Sequence, residues 1–173
     1  MDKQPTLKSE RLILRPYSMT DAPQVKKLAG DKKIAEMLSN FPHPYLDGMA
    51  EDWISNHESW FETRNTAAFA VTLHDSGELI GTISLNQIEG ARANLGYWIA
   101  VPYWGNGYCT EAAKEIIKFG FDKLELSELY ATHLTKNPAS GNVMKKNGFK
   151  YIKDVTIDDK TALYYELTNP HSP

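Results

Sequence analysis

Two glycines separated by one residue, Gly105 and Gly107, stand between an apolar segment and an amphipathic one, in the stretch GYWIAVPYWGNGYCTEAA at positions 96–113. The first N–H groups of a helix lack partners within the helix and carry partial positive charge, so a phosphate placed there accepts several hydrogen bonds. Glycine lets an anion approach the backbone and permits positive φ. The loop 105–110 is therefore a candidate phosphate or pyrophosphate site. The alternative is a tight turn that needs glycine for backbone reasons alone.

Two familiar phosphate-binding loops do not fit this stretch. A Walker loop ends in Gly-Lys-Ser/Thr, whereas Gly107 is followed by Tyr108, Cys109 and Thr110. A Rossmann fingerprint has a third glycine where this chain has Thr110, and it belongs to the first strand–helix unit of its domain. Here three predicted strands precede the loop, so an unrelated nucleotide-binding module is disfavoured.

The elements that must position this loop follow from the hydrophobic pattern and the turn residues. Seven strands are predicted at 11–17, 67–75, 78–88, 92–101, 128–134, 149–157 and 160–168. Helices are predicted up to Gly30 and at 31–38, 47–64, 108–123 and 138–148. This order favours one α+β domain over residues 1–173, with a mixed, mostly antiparallel twisted sheet of about seven strands and helices on both faces. The passage from 92 to 134 is predicted to be a parallel crossover.

Composition narrows the class of protein further. The chain has 173 residues, a formal net charge of −3 and one cysteine, so no internal disulfide can form. A single cysteine is typical of a reducing compartment, and no early apolar run resembles a signal peptide or a membrane span. We therefore expect a cytoplasmic protein. No dense Lys/Arg cluster is present, which argues against direct nucleic-acid binding and against a membrane partner.

Four segments, taken in order, carry a resemblance to a known family. They are SERLILRP followed by TDA, FPHPYLDGMAEDWI, LGYWIAVPYWGNGYCTEA and NPASGNVMKKNGF. The chain resembles the GCN5-related N-acetyltransferases (GNAT), and within them the RimJ/RimL-like subfamily that acetylates the N-termini of ribosomal proteins. The resemblance covers nearly the whole chain, and four matches in order are far more specific than two glycines.

The resemblance implies that acetyl-CoA binds between two splayed strands and that no metal is needed. The backbone of the strand would meet the pantetheine amides, the glycine loop would hold the pyrophosphate, and Asn137 would reach the pantetheine arm. The residues implied for the cofactor are Tyr97, Trp98, Ile99, Gly105, Asn106, Gly107, Tyr108, Cys109, Thr110 and Asn137. The partner would be an amine acceptor, and a homodimer is one option that the family offers.

Cys109 departs from the family pattern, in which glycine or alanine is commoner at this position. A thiol at a helix N-terminus can have a lowered pKa and act as an acetyl-accepting nucleophile. Its place beside the pyrophosphate rather than the thioester favours a small filler residue instead.

The implied chemistry is direct attack of a neutral amine on the thioester carbonyl, with both substrates bound together. Many family members place a tyrosine where this chain has Met144, and Ser140 is the substitute expected to serve the leaving thiolate. The alternative is that Ser140 only caps or back-bonds to its helix. Family positions for a carboxylate base align with Thr132 and Asn94, neither of which accepts a proton usefully. A site without an obvious base suits an α-amine, whose ordinary pKa is roughly 7.7–8, better than a lysine near 10.4.

The acceptor itself stays open at this point. A small-molecule amine, such as a polyamine or an antibiotic, would use the same cofactor site, and the acids at 47, 51, 52, 58 and 62 give it some support. A non-catalytic acyl-CoA sensor would show the same missing groups at positions 94, 132 and 144. The Pro-rich loop 40–46 is predicted to frame the acceptor site, where Phe41, His43 or Tyr45 would contact substrate.

Overall fold

The computed structural model describes residues 3–172, which form an eight-stranded sheet flanked by helices on both faces. The strands are β1 (Leu7–Lys8), β2 (Leu12–Arg15), β3 (Ala67–Leu73), β4 (Leu79–Glu89), β5 (Arg92–Ile99), β6 (Glu128–Leu134), β7 (Lys150–Ile157) and β8 (Lys160–Thr168). Their order across the sheet is β1-β2-β3-β4-β5-β6-β8-β7. Among these strands only β5 and β6 pair in parallel. The predicted α+β class is confirmed, with one strand more than expected.

The extra strand is β1, which is too short, at two residues, for a periodic pattern to reveal.

The helices are α1 (Ala22–Ala29), α2 (Lys32–Met37), α3 (Met49–Ser55), α4 (His57–Glu62), α5 (Tyr108–Asp122) and α6 (Pro138–Lys146). The helix predicted at 47–64 is in fact two, divided at Asn56. The Asn56 side chain donates to the Asp52 carbonyl at 2.8 Å, and this local bond competes with the regular helical ladder. Within residues 3–172 no helix combines the length and the apolar character that crossing a membrane requires.

Two apolar clusters bury the two faces of the sheet. On one face α5 packs on the central strands, with Phe119 and Phe69 edge to face at 5.5 Å between ring centroids. On the other face α1 and α3 bury residues such as Val25 and Ile54. Since side chains alternate along a strand, Tyr97 packs towards the α5 face and Trp98 towards the α1–α3 face.

The parallel pair β5–β6 is short and then opens. Pairing runs only from Arg92 opposite Glu128 to Asn94 opposite Tyr130. Beyond this point β5 continues to Ile99 and β6 continues to Leu134 without pairing to each other. The sheet therefore contains a V-shaped gap between its two central strands.

Candidate functional site

Backbone groups of β5 line one side of the gap. Ala100 N–H donates to the Ile80 carbonyl of β4 at 2.7 Å. Because successive residues of a strand direct their backbone groups to opposite edges, Tyr97 and Ile99 present N–H and C=O groups to the gap. Trp98, by contrast, faces β4 with its backbone. Of the three predicted strand residues, two therefore offer backbone groups to the gap and Trp98 offers only its indole, on the α1–α3 side.

The glycine loop meets α5 in the geometry that an anion needs. Gly105 has φ of 79° and Gly107, the N-cap of α5, has φ of 77°. A Cβ at Gly105 would lie in open space, with no heavy atom within 4 Å. The N–H groups of the first three helical residues, 108–110, have no intrahelical acceptor, whereas that of Glu111 bonds to Gly107. The loop is therefore a left-handed turn with open space at Gly105 and unpaired N–H groups at 108–110.

Arg11 holds this loop, and sequence reasoning did not find it. Its Nη1 donates to the Asn106 carbonyl at 2.9 Å, and its Nε donates to Glu111 at 2.7 Å. The guanidinium also lies over the Tyr108 ring, 4.5 Å from the centroid. Burial alone would raise the pKa of Glu111, but the hydrogen bonds from Ser9 and from Arg11 together outweigh it, and the pKa is lowered. Arg11 lies about a hundred positions from its partners in the sequence, and no local pattern marks such a contact.

Two further residues of this region have structural partners. The Trp104 indole donates to the Ile99 carbonyl at 2.6 Å, so Ile99 offers its N–H to the gap while its carbonyl is already hydrogen-bonded. The side chain of Cys109 packs in the cluster beneath α5, and burial raises the pKa of its thiol. A thiol that stays protonated is a poor nucleophile, so the geometry favours the filler interpretation of Cys109.

A cavity of ≈510 Å³ extends from the gap to the α1–α3 face. Aromatic rings form its outer walls, contributed by Phe41, Tyr45, Trp53 and Trp98. Uncharged polar side chains from three strands form its floor, contributed by Thr82, Ser84, Asn86, Asn94 and Thr132. None of the residues that line it, among those the structure describes, is Asp, Glu, Lys or Arg, and His133 contributes the one imidazole. Phe41 and Tyr45 of the Pro-rich loop line this cavity, whereas His43 is exposed and outside the lining.

Three carboxylates that would have to act as a base through a water molecule, Glu89, Asp154 and Glu166, lie outside the cavity lining. Glu166 accepts a hydrogen bond from Tyr164 at 2.9 Å and lies 3.5 Å from Arg92. Glu89 and Asp154 are exposed, and neither lines the cavity. The acid residues of the α3 region lie on the outer surface, where Asp47 pairs with Lys26.

His133, next to Thr132, is buried beneath α6 and also contributes to the lining of the cavity. Its Nδ1 is 2.8 Å from the Leu134 carbonyl and its Nε2 is 3.4 Å from the Tyr165 hydroxyl. A Cβ at Gly141 would lie 2.6 Å from His133 Nε2, so glycine is what allows α6 to approach β6 this closely. This close approach brings Ser140 to the gap.

Ser140 and Tyr97 meet across the gap. The Tyr97 hydroxyl lies 2.9 Å from Ser140 Oγ and 2.9 Å from the Ser140 backbone carbonyl. Both residues also line the cavity. Asn137 lies at the same end, where its side chain donates to the Met37 carbonyl of α2 at 3.2 Å. The sequence-predicted residues Tyr97, Asn137 and Ser140 are therefore brought together at the mouth of the gap.

The gap opens into the cavity, and the glycine loop follows β5 in the chain. This order of features suits an extended, amide-bearing ligand with a pyrophosphate at one end, since the loop offers unpaired N–H groups and the gap offers a free strand edge. The reactive end of such a ligand would lie near Ser140, where the cavity admits a second substrate from the α1–α3 side.

Comparisons with known proteins agree with this geometry. The family model for the acetyltransferase (GNAT) domain matches residues 11–150. The uncharacterized N-acetyltransferase YoaA of Bacillus subtilis (strain 168) is 27% identical over 148 residues, covering 84% of this chain and 83% of YoaA. The ribosomal-protein-serine acetyltransferase of Escherichia coli (strain K12) is 32% identical over 111 residues, covering 57% of this chain and 62% of that protein.

Among solved structures, RimL, a ribosomal L7/L12 alpha-N-protein acetyltransferase in complex with coenzyme A, matches with a TM-score of 0.84 at 16% identity, covering 96% of this chain and 98% of that chain. This likeness shows the fold, and the family model covers most of the chain. The chain therefore belongs to the GNAT acetyltransferases and is an N-acetyltransferase that uses acetyl-CoA.

Proposed function

We propose that this enzyme transfers the acetyl group of acetyl-CoA to a protein N-terminal α-amine of the ribosomal-protein type, by direct attack within a ternary complex. The observation that carries the proposal is the cavity beside Ser140, whose lining contains no Asp, Glu, Lys or Arg among the described residues. Relatives named as ribosomal-protein acetyltransferases support the same acceptor class.

An uncharged cavity selects the neutral form of an amine. Transferring an ammonium ion out of water costs free energy unless a carboxylate compensates, and the cavity lining supplies none. At pH 7.5 roughly a third of an ordinary α-amine is already neutral, against about one in a thousand for a lysine side chain. A polyamine or aminoglycoside carries several ammonium groups, and the acids that would attract them lie outside the cavity. The lining therefore favours an α-amine next to an uncharged residue.

Each proposed residue has a defined task in this reaction. Acetyl-CoA supplies the activated thioester carbonyl. The N–H groups at 108–110 would bind the pyrophosphate, and the strand edge at Tyr97 and Ile99 would hold the pantetheine amides. The Ile99 N–H would stabilise negative charge on the carbonyl oxygen. Ser140 Oγ would donate a hydrogen bond to the sulfur as the C–S bond breaks. Asn137 would turn from the Met37 carbonyl to the pantetheine arm.

The test is release of CoA thiol from acetyl-CoA in the presence of separate acceptors. The panel contains ribosomal-protein N-terminal peptides, the same peptides with a charged first residue, spermidine and an aminoglycoside. We expect turnover on peptides with an uncharged first residue, and kcat/KM lower by about 10-fold or more when that residue is charged, because the cavity cannot compensate a buried charge. Faster turnover on spermidine or the aminoglycoside than on every peptide would overturn the proposal in favour of a small-molecule acetyltransferase.

A further inference from the structure

We infer that Tyr97 is a positioning residue for acetyl transfer: its hydroxyl fixes the Ser140 hydroxyl so that the Ser140 proton points to the leaving sulfur. The inference rests on the proposed function, in which Ser140 donates a hydrogen bond to that sulfur. The Tyr97 side chain thereby acquires a task separate from that of its backbone, which lines the gap.

The Tyr97 hydroxyl proton has two possible acceptors on Ser140, and the choice decides what the Ser140 hydroxyl can do. The Tyr97 hydroxyl is 2.9 Å from both Ser140 Oγ and the Ser140 carbonyl, and it has one proton to donate. When this proton is donated to Oγ, the Ser140 proton is free to point into the cavity. When it is donated to the carbonyl, Ser140 donates to the Tyr97 oxygen instead. A sulfur that gains negative charge favours the first arrangement, because hydrogen bonds to charged acceptors are the stronger ones.

Burial keeps Tyr97 in the role of donor. Its ring packs against the apolar cluster beneath α5, and burial raises the pKa of its hydroxyl above the ordinary range. Tyr97 therefore stays protonated at physiological pH. The residues that line the cavity include no carboxylate or ammonium to compete for the Ser140 hydroxyl, within the part of the chain that the structure describes.

The step balances without consuming either residue. The amine nitrogen forms the C–N bond, the C–S bond breaks, and its electron pair leaves on sulfur. Ser140 stabilises that charge through its O–H group, while Tyr97 stabilises the Ser140 oxygen from which density is drawn. The excess proton of the amine passes to solvent, and CoA leaves as the thiolate or takes a proton from solvent.

A double-mutant cycle separates positioning from simple tethering. With acetyl-CoA and a peptide that begins with serine as the probe acceptor, we expect Ser140→Ala to lower kcat about 100-fold and Tyr97→Phe about 10-fold. The KM for acetyl-CoA should stay within about 2-fold, and the double variant should be no slower than Ser140→Ala alone. Ser140→Ala keeps the backbone carbonyl that Tyr97 also contacts. A role in merely tying β5 to α6 would therefore lower kcat further in the double variant, and that result would overturn the inference.

Two controls accompany the cycle. Tyr151→Phe removes a hydroxyl bonded to Asp154 on the exposed strand β7 and should leave kcat unchanged. Ser140→Thr keeps a hydroxyl and should keep the dependence on Tyr97. Tyr97→Phe retains the buried ring, and its melting temperature records any loss of stability.

A second readout is independent of turnover. The ultraviolet absorbance of the thiolate gives the pKa of the thiol of enzyme-bound CoA. A hydrogen bond from Ser140 should lower this pKa relative to free CoA, and both Ser140→Ala and Tyr97→Phe should raise it towards the free value. If Ser140→Ala changes neither kcat nor this pKa, the role of Ser140 in the proposed function fails. If Ser140→Ala changes both and Tyr97→Phe changes neither, only the inference about Tyr97 fails.

Discussion

Replacing Gly105 and Gly107 together by alanine should weaken acetyl-CoA binding about 100-fold, or roughly 3 kcal/mol, when measured by calorimetry. Both glycines have left-handed φ values, which alanine adopts only with strain. The open space at the Gly105 Cβ position is where the pyrophosphate would lie, so a methyl group there would hold the anion away from the N–H groups at 108–110. Charge-assisted hydrogen bonds would lengthen, and each costs about 1.5 kcal/mol or more.

The matched control separates backbone strain from loss of the anion site. Gly77 and Gly90 also have positive φ, 75° and 58°, and open space at their Cβ positions, but they lie in the turns before β4 and before β5. Converting both to alanine should cost similar stability, on the order of 2–4 kcal/mol in total, and leave acetyl-CoA affinity unchanged. Equal losses of affinity in the two double variants would show that the 105–110 loop is only a turn.

Lowering the pH from 7 to 4 should reduce the free energy of unfolding by about 3 kcal/mol through His57 alone. His57 is 6% exposed, and neither ring nitrogen has a hydrogen-bond partner among the described residues. It packs among aromatic rings, with Trp53 edge to face at 4.3 Å and Tyr17 at 5.4 Å between centroids. Burial lowers the pKa of His57 from its ordinary 6.5 to about 4.

The sign of this effect follows from proton uptake. Between pH 6.5 and 4 the unfolded chain carries a protonated His57 while the folded chain does not, so acid favours the unfolded state. The stabilisation is complete above pH 6.5 and is lost as the pH falls through the folded pKa, with about 2 kcal/mol lost by pH 5. Urea titrations at pH 7, 5 and 4 measure the loss.

In His57→Leu, the loss of unfolding free energy between pH 7 and pH 4 should be smaller by the amount that His57 contributes. The substitution should also raise the stability at pH 7 by about 1 kcal/mol, because it removes two buried nitrogen atoms that lack partners. His74→Gln, at an exposed histidine, is the control and should keep the acid-dependent loss. An unchanged slope in His57→Leu would show that the acid sensitivity lies in other groups.

The sequence predicted the elements that have strong local signals. The apolar runs at 67–75 and 78–88, with the turn residues Ser76 and Gly77 between them, located β3 and β4. The paired glycines located the start of α5 and its left-handed turn. The break at Asn56 was missed because a side-chain bond to a carbonyl four residues earlier leaves the apolar stripe intact. The strand β1 was missed because two residues carry no period.

The site was predicted only as far as local pattern and family resemblance extend. Arg11 and Trp53 could not be assigned, because their partners are brought to them by the fold rather than by spacing along the chain. Trp53 serves two purposes, since it packs in the second apolar cluster and also lines the cavity. Tyr97 and Ser140 are 43 positions apart in the sequence, so their contact is visible only in the three-dimensional structure.

The central claim is that the enzyme binds the free amine and has no base of its own. The most direct test is to measure the pH dependence of kcat/KM for two peptide acceptors that differ only in the pKa of their α-amine. The inflection should follow the amine, shifting between the two acceptors by the difference in their pKa values, because kcat/KM reports ionisations of the free reactants. An inflection that stays at one pH for both acceptors would identify an ionising group of the enzyme and contradict acetyl transfer in an uncharged cavity.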